Sequence, residues 1–227
     1  MNNSLTRLIA VLILLTISAP SFSQEDPQRI DKLYSMSGFG VSIPVGESSS
    51  FMRPKFSTTV GFNLGLGKGD KSGNGGLFLY PKLSLHVYGY DNTELDPRSN
   101  AELTNGRATT YLLNVALGYR KVINRFAFYA FIGGGGGFIL TPRVVISPQD
   151  SYATLNNKTN HLGIIEPGAG AEYRIGGVNL FLESSYMQGL GKIGDHTFHS
   201  VPVTIGIKPN LSKLLYKKKN TRNSGSD

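Results

Sequence analysis

The 227-residue chain has no cysteine, no tryptophan and only 4 methionines. Without a thiol there is no disulfide framework, no thiolate metal site, no cysteine nucleophile and no lipid-anchored lipoprotein. Charge is sparse as well, at 17% of residues, and there are only 4 histidines to carry acid–base chemistry. Long apolar runs are missing too. The run from Leu8 to Ile17 falls short of the ~20 residues a spanning helix needs, and nothing later reaches that length. If such a chain crosses a membrane, it must do so as a closed barrel, because only helices and closed barrels pair every backbone group there.

What is present starts with that short run. Arg7 precedes it and small residues lead to Ser23, the layout of a secretory signal peptide over residues 1–23, with cleavage expected after Ser23. Residues 24–33 read as a lead-in, 34–210 as one barrel domain and 211–227 as a basic tail. The formal net charge of +8 would suggest nucleic acid in a cytosolic protein. An exported chain rarely meets nucleic acid, so that partner is set aside.

Read at period two, the chain gives eight alternating segments of roughly ten residues, the pattern of a transmembrane β-barrel. In the first, Phe39, Val41, Ile43 and Val45 oppose Met36, Gly38, Gly40 and Ser42. In the second, Phe56, Val60, Phe62, Leu64 and Leu66 oppose Ser57, Thr59, Gly61, Asn63 and Gly65. Later segments repeat the theme, most regularly where Tyr111, Leu113, Val115, Leu117 and Tyr119 oppose Thr110, Leu112, Asn114, Ala116, Gly118 and Arg120. The fold expected is all-β, an eight-stranded antiparallel up-and-down barrel.

Connection lengths test this independently, since such barrels alternate short periplasmic turns with longer outside loops. Ile123-Asn124 and Gly176-Gly177 are tight, whereas residues 91–108 and 141–160 read as long loops. The first two connections fit less well: "ESSS" is short for a loop and "KGDKSGNGG" long for a turn. A soluble sandwich or lipocalin-like barrel also spaces strands regularly. Its exterior would be charged, however, and here the polar face is mostly glycine, serine and asparagine. Tyr111 and Tyr119 share a face eight residues apart, about 20 Å along a tilted strand, close to the height of an apolar band between aromatic girdles. Tyr173 and Tyr186 are assigned to the same girdles.

The pattern Gly170-Ala171-Glu172-Tyr173, a tight turn, Leu182-Glu183, Tyr186 and Gly189-Leu190 resembles the PorT-like outer-membrane β-barrel family of Gram-negative bacteria. That resemblance implies an outer-membrane location, contact with outer-membrane lipid and with the barrel-insertion machinery, and an envelope protein as partner. A few members resemble secretion-system accessories. The chain departs from the family by running past its last strand into "PNLSKLLYKKKNTRNSGSD".

Charges on the polar face form the candidate site: Lys55, Lys82 and Arg120 from early strands, and Glu166, Glu172, Arg174 and Glu183 from later ones. Inside a narrow barrel they must pair or be hydrated. They suit either a structural plug or a polar path for a small ligand. Eight strands leave no open aqueous pore.

Gly133 to Gly137 do not make a phosphate loop, lacking a following Lys-Ser or Lys-Thr. Inward Gly133, Gly135 and Gly137 are expected instead to make room for Tyr80, Tyr88 or Arg120. Ser84 and His86 share a face but lie about 7 Å apart at the backbone, with no acid on their own strand, so no catalytic residue is assigned. His196 and His199 with Asp195 form too loose a set for a metal. No cofactor is expected. The tail cations Lys213, Lys217, Lys218, Lys219 and Arg222 suit an anionic leaflet or a solvated end.

Overall fold

The computed structural model describes residues 33–66, 75–91, 106–146, 153–193 and 196–212. The signal-like segment over residues 1–23, most of the lead-in, the tail cations, Asp195 and most of the connection after Asp91 lie outside the described residues. Nine strands form one sheet: β1 (Leu33–Pro44), β2 (Met52–Gly65), β3 (Gly76–Tyr90), β4 (Gly106–Ile123), β5 (Phe126–Ile146), β6 (Ala153–Ile175), β7 (Val178–Ser185), β8 (Met187–Ile193) and β9 (His196–Pro209). A short helix, α1 (Ser48–Phe51), sits between β1 and β2.

Every neighbouring pair is antiparallel, and β1 pairs with β9 from Ser37↔Ile207 to Pro44↔Ser200, which closes the ring. β7 and β8 are one strand interrupted at Tyr186, whose N–H donates to the Pro167 carbonyl at 2.9 Å. Burial alternates unbroken through the interruption. The barrel therefore has eight strands in up-and-down order, as the alternating segments imply.

The two ends differ. At the turn end, Asn124 (φ 56°) and Gly176 (φ 59°) adopt the left-handed conformation that two-residue hairpins need. The chain enters at Leu33 and leaves after Pro209 at this same end. At the loop end, β5 and β6 run further than their sequence suggests, to 21 and 23 residues. The stretch 141–160, read as a loop because of its Pro, Asn and Lys content, instead continues the hairpin, with Thr141↔Lys158 through Ile146↔Ala153 in register. Two strands that pair with each other need no buried face to persist, so the apolar alternation that marks the rest of the wall is lost there.

The glycine run does not make room for Tyr80, Tyr88 or Arg120. A Cβ added at Gly137 would lie 1.8 Å from the Tyr111 carbonyl oxygen, and one at Gly135 would lie 2.1 Å from that of Leu113. These glycines permit a close backbone approach between β5 and β4. Gly137→Ala is expected to cost about 3 kcal/mol or more by overpacking, since backbone cannot step aside as a flexible side chain can. Guanidinium titration of the folded barrel checks this, with Gly134→Ala as a control, where the nearest atom lies 3.6 Å away.

Candidate functional site: a filled and charged lumen

Side chains alternate in and out along every strand, so the wall has two unlike surfaces. Leucine, isoleucine, valine, phenylalanine and tyrosine stand exposed on the outside; Leu113, on the outward face of β4, is 61% exposed. The aromatic residues assigned to girdles fall on this wall. Tyr111 stacks on Phe138 with centroids 5.1 Å apart, and Tyr173 packs against Phe126 at 5.0 Å. The Tyr186 hydroxyl bonds His199 Nδ1 at 2.8 Å, and Tyr119 is exposed.

The inside is filled by two clusters of apolar side chains and a set of paired charges. At the loop end, α1 folds over the mouth and turns Phe51 and Met52 inward onto Tyr88, Tyr90, Leu112, Ile139, Leu162, Ile164, Met187 and Phe198. Four contacts with β9 hold this plug. The Val45 N–H donates to the His199 carbonyl, Ser48 Oγ donates to the Thr197 carbonyl, the His199 N–H donates to Ser48 Oγ, and the Thr197 N–H donates to Glu47 Oε2 at 2.6 Å. The Phe51 ring also lies 5.3 Å from that of His196.

The Glu47 carboxylate is held below its ordinary value of 4.5, chiefly by the Thr197 backbone N–H, with His196 and His199 nearby. A depressed carboxylate stabilises the fold fully above the ordinary value, and that contribution is lost as pH falls through the lower folded one. The protection factor of the Thr197 amide is therefore expected to fall below about pH 4.5 in the wild type. It should be low and insensitive to acid in Glu47→Gln.

Near the turn end the lumen holds aromatic rings. Phe78, Tyr80, Tyr129, Phe131 and Phe181 cluster with Met36 and Ala116. Glycines on the neighbouring strand β6 leave them space: a Cβ at Gly168 would come within 2.4 Å of the Phe131 ring, and one at Gly170 within 2.4 Å of Tyr129.

Between and among these rings lie the charges. Lys82 on β3 meets Glu166 on β6 at 2.5 Å and Glu183 on β7 at 3.7 Å. Glu166 also accepts from Asn114 Nδ2 and Ser185 Oγ, while Glu183 accepts from the Tyr80 and Tyr129 hydroxyls. A second group centres on Glu172, which accepts from Arg120 at 2.7 Å, Lys208 at 2.8 Å and Asn179 at 2.8 Å. Lys208 lies 4.0 Å from the Tyr129 ring centroid, and Arg120 lies 4.9 Å from that of Tyr34. Among the described residues, the buried charges are Lys82, Arg120 and Lys208 against Glu166, Glu172 and Glu183. Three cations meet three carboxylates, so the formal charges of this buried set balance.

Five of the seven residues singled out from the sequence thus come together: Lys82, Arg120, Glu166, Glu172 and Glu183. Arg174 is only half-buried, one residue before the strand end at Ile175. Lys55 does not point inward at all. The β2–β3 register slips between Pro54↔Tyr88 and Ser57↔His86, a bulge that turns both Lys55 and Phe56 to the outer wall. Lys208, in contrast, is a central member whose signal was its inward parity with Thr204 and Gly206.

Ser84 and His86 are not hydrogen-bonded to each other. Ser84 shares a hydrogen bond with Thr59 at 3.1 Å, and neither ring nitrogen of His86 has a protein partner. Among the described residues no set of histidine and carboxylate side chains is placed to hold a metal ion.

No protein-family model matches this chain, and no curated protein matches it. Solved structures do. Neisserial surface protein A shares 10% identity over 78% of this chain and 96% of that one, with a TM-score of 0.54. The N-terminal β-barrel domain of Pseudomonas aeruginosa OprF (11% identity, 78% and 98% covered, TM-score 0.39) and the Yersinia pestis outer membrane protein Ail (14%, 77% and 98%, TM-score 0.36) also match. The chain has the fold of the eight-stranded outer-membrane β-barrels.

Proposed function

We propose that this chain is an exported outer-membrane β-barrel that serves a structural or binding role through its loop-end surface, with no general diffusion pore and no catalytic step. The observation that carries the reading is the contrast between its two faces. An exterior of exposed apolar side chains suits lipid, and an interior closed by paired charges and aromatic rings conducts nothing. The signal-like segment over residues 1–23 supports export, and the Gly-Ala-Glu-Tyr pattern supports the finer PorT-like reading, with an envelope protein as partner.

A small-ligand path has one observation in its favour. Ser57 Oγ, both ring nitrogens of His86 and Thr110 Oγ1 are buried without protein partners, and these residues face one another across β2, β3 and β4 in the register Ser57↔His86↔Thr110. Asn114 Oδ1 lies below them in the same state. Buried polar atoms of this kind bind water or a small hydrogen-bonding solute.

Planar-bilayer recordings separate the two. The closed-lumen reading predicts no conductance steps from inserted, heat-shiftable protein. A steady conductance that falls on Thr110→Val would replace it with the channel.

A further inference from the structure

The bulge that expels Lys55 from the lumen also builds a surface. Arg53, Gly89 and Arg107 lie in one transverse row on the outer wall of adjacent strands, with registers Arg53↔Gly89 and Gly89↔Arg107. Gly89 has no side chain of its own, and the Arg53 and Lys55 stems close over it. A Cβ added there would lie 3.1 Å from Arg53 Cβ and 3.6 Å from Lys55 Cε. Gly89 is consequently buried while all three cationic side chains are exposed.

Backbone contacts hold one edge of the patch. One guanidinium nitrogen of Arg53 donates to the Ser49 carbonyl of α1 at 2.8 Å and to the Met52 carbonyl at 3.3 Å, which orients that side chain. Among the described residues no carboxylate comes within ion-pair distance of Arg53, Lys55 or Arg107. Toward the turn end on the same outer wall, beyond the buried pair Val87 and Thr109, stand Phe56, Leu85 and Tyr111, so three cations crown an apolar strip. An amphiphile with an anionic head and hydrocarbon chains matches both parts at once.

We infer that Arg53, Lys55 and Arg107 bind the phosphate group of a lipid whose chains lie along Phe56, Leu85 and Tyr111. The inference rests on the membrane reading above and adds a defined lipid site to it. Arginine's planar fork is suited to phosphate oxygens, and lysine adds a point charge beside it. Chains packed against the wall add area that free phosphate lacks.

The test uses the full chain refolded in a zwitterionic detergent, with bound lipid counted by native mass spectrometry. The probes are phosphatidic acid, phosphatidylcholine and inorganic phosphate. The wild type is expected to retain phosphatidic acid in preference to phosphatidylcholine and to hold it against excess inorganic phosphate. The triple variant Arg53→Gln, Lys55→Gln, Arg107→Gln should bind it roughly a hundredfold more weakly, as expected for three cations removed from an anionic lipid surface. Its gel heat shift should be unchanged, because all three side chains are exposed. Equal retention by the triple variant overturns the site, and displacement by inorganic phosphate overturns the lipid as its ligand. A wild-type chain that needs no detergent and shows no heat shift instead overturns the membrane reading beneath it.

Discussion

Glu172→Gln lowers the unfolding free energy of the barrel by about 3–5 kcal/mol, the cost of leaving buried charge without its partner. Glu172 is buried and neutralises two cations, Arg120 and Lys208, from opposite directions. Glutamine keeps the volume and one acceptor oxygen, so the loss is electrostatic rather than a cavity. Adding Lys208→Met should recover part of it, because one buried cation then no longer faces a neutral amide. The measurement is denaturant unfolding of detergent-refolded protein, followed by intrinsic tyrosine fluorescence. A loss within about 0.5 kcal/mol, the range of an uninvolved surface site, would mean that the lumen is wet enough to screen these charges.

Val115→Arg gives the second large effect, and its size depends on the solvent outside. The residue sits midway between Tyr111 and Tyr119 on the outer wall. In a bilayer midplane an arginine there costs about 2–4 kcal/mol. In water, replacing a valine that is 48% exposed is neutral within about 0.5 kcal/mol. Folding equilibria in lipid vesicles, compared with Lys121→Arg at the turn-end rim as a control, distinguish the two.

These effects trace to features of unequal legibility in the sequence. The eight strands were readable because each wall position sees either the filled interior or the outside, and the period-two pattern records that choice. Turns were readable where backbone geometry demands a particular residue, as at Asn124 and Gly176. Lys55 was misread because a bulge inserts a residue and reverses parity without changing composition. The β5–β6 extension was misread because a hairpin standing beyond the wall has no buried face to mark it.

The plug was hidden for a related reason. α1 is only four residues long, and its signal was the adjacent pair Phe51-Met52, two consecutive apolar residues that break strand alternation and are both buried. The interior rings were hidden by glycine. Phe131 and Tyr129 fit only because Gly168 and Gly170 face them from the neighbouring strand, a pairing that becomes visible once register is known.

Partners for the charges had the same dependence on register. Parity alone placed Lys82, Arg120, Glu166, Glu172 and Glu183 on the polar face, but not which of them would meet. Lys82 reaches Glu166 across 84 residues of sequence, and Arg120 reaches Glu172 across 52. Lys208 joins Glu172 from the closing strand.

The claim on which all of this depends is that the outward apolar face meets lipid. The direct measurement is fractionation of cells expressing the full chain, followed by electrophoresis of boiled and unboiled samples. The account predicts a detergent-requiring protein in the outer-membrane fraction whose mobility changes on boiling. A freely soluble protein with unchanged mobility would contradict it, and the exposed apolar wall would then have to be covered by something other than a membrane.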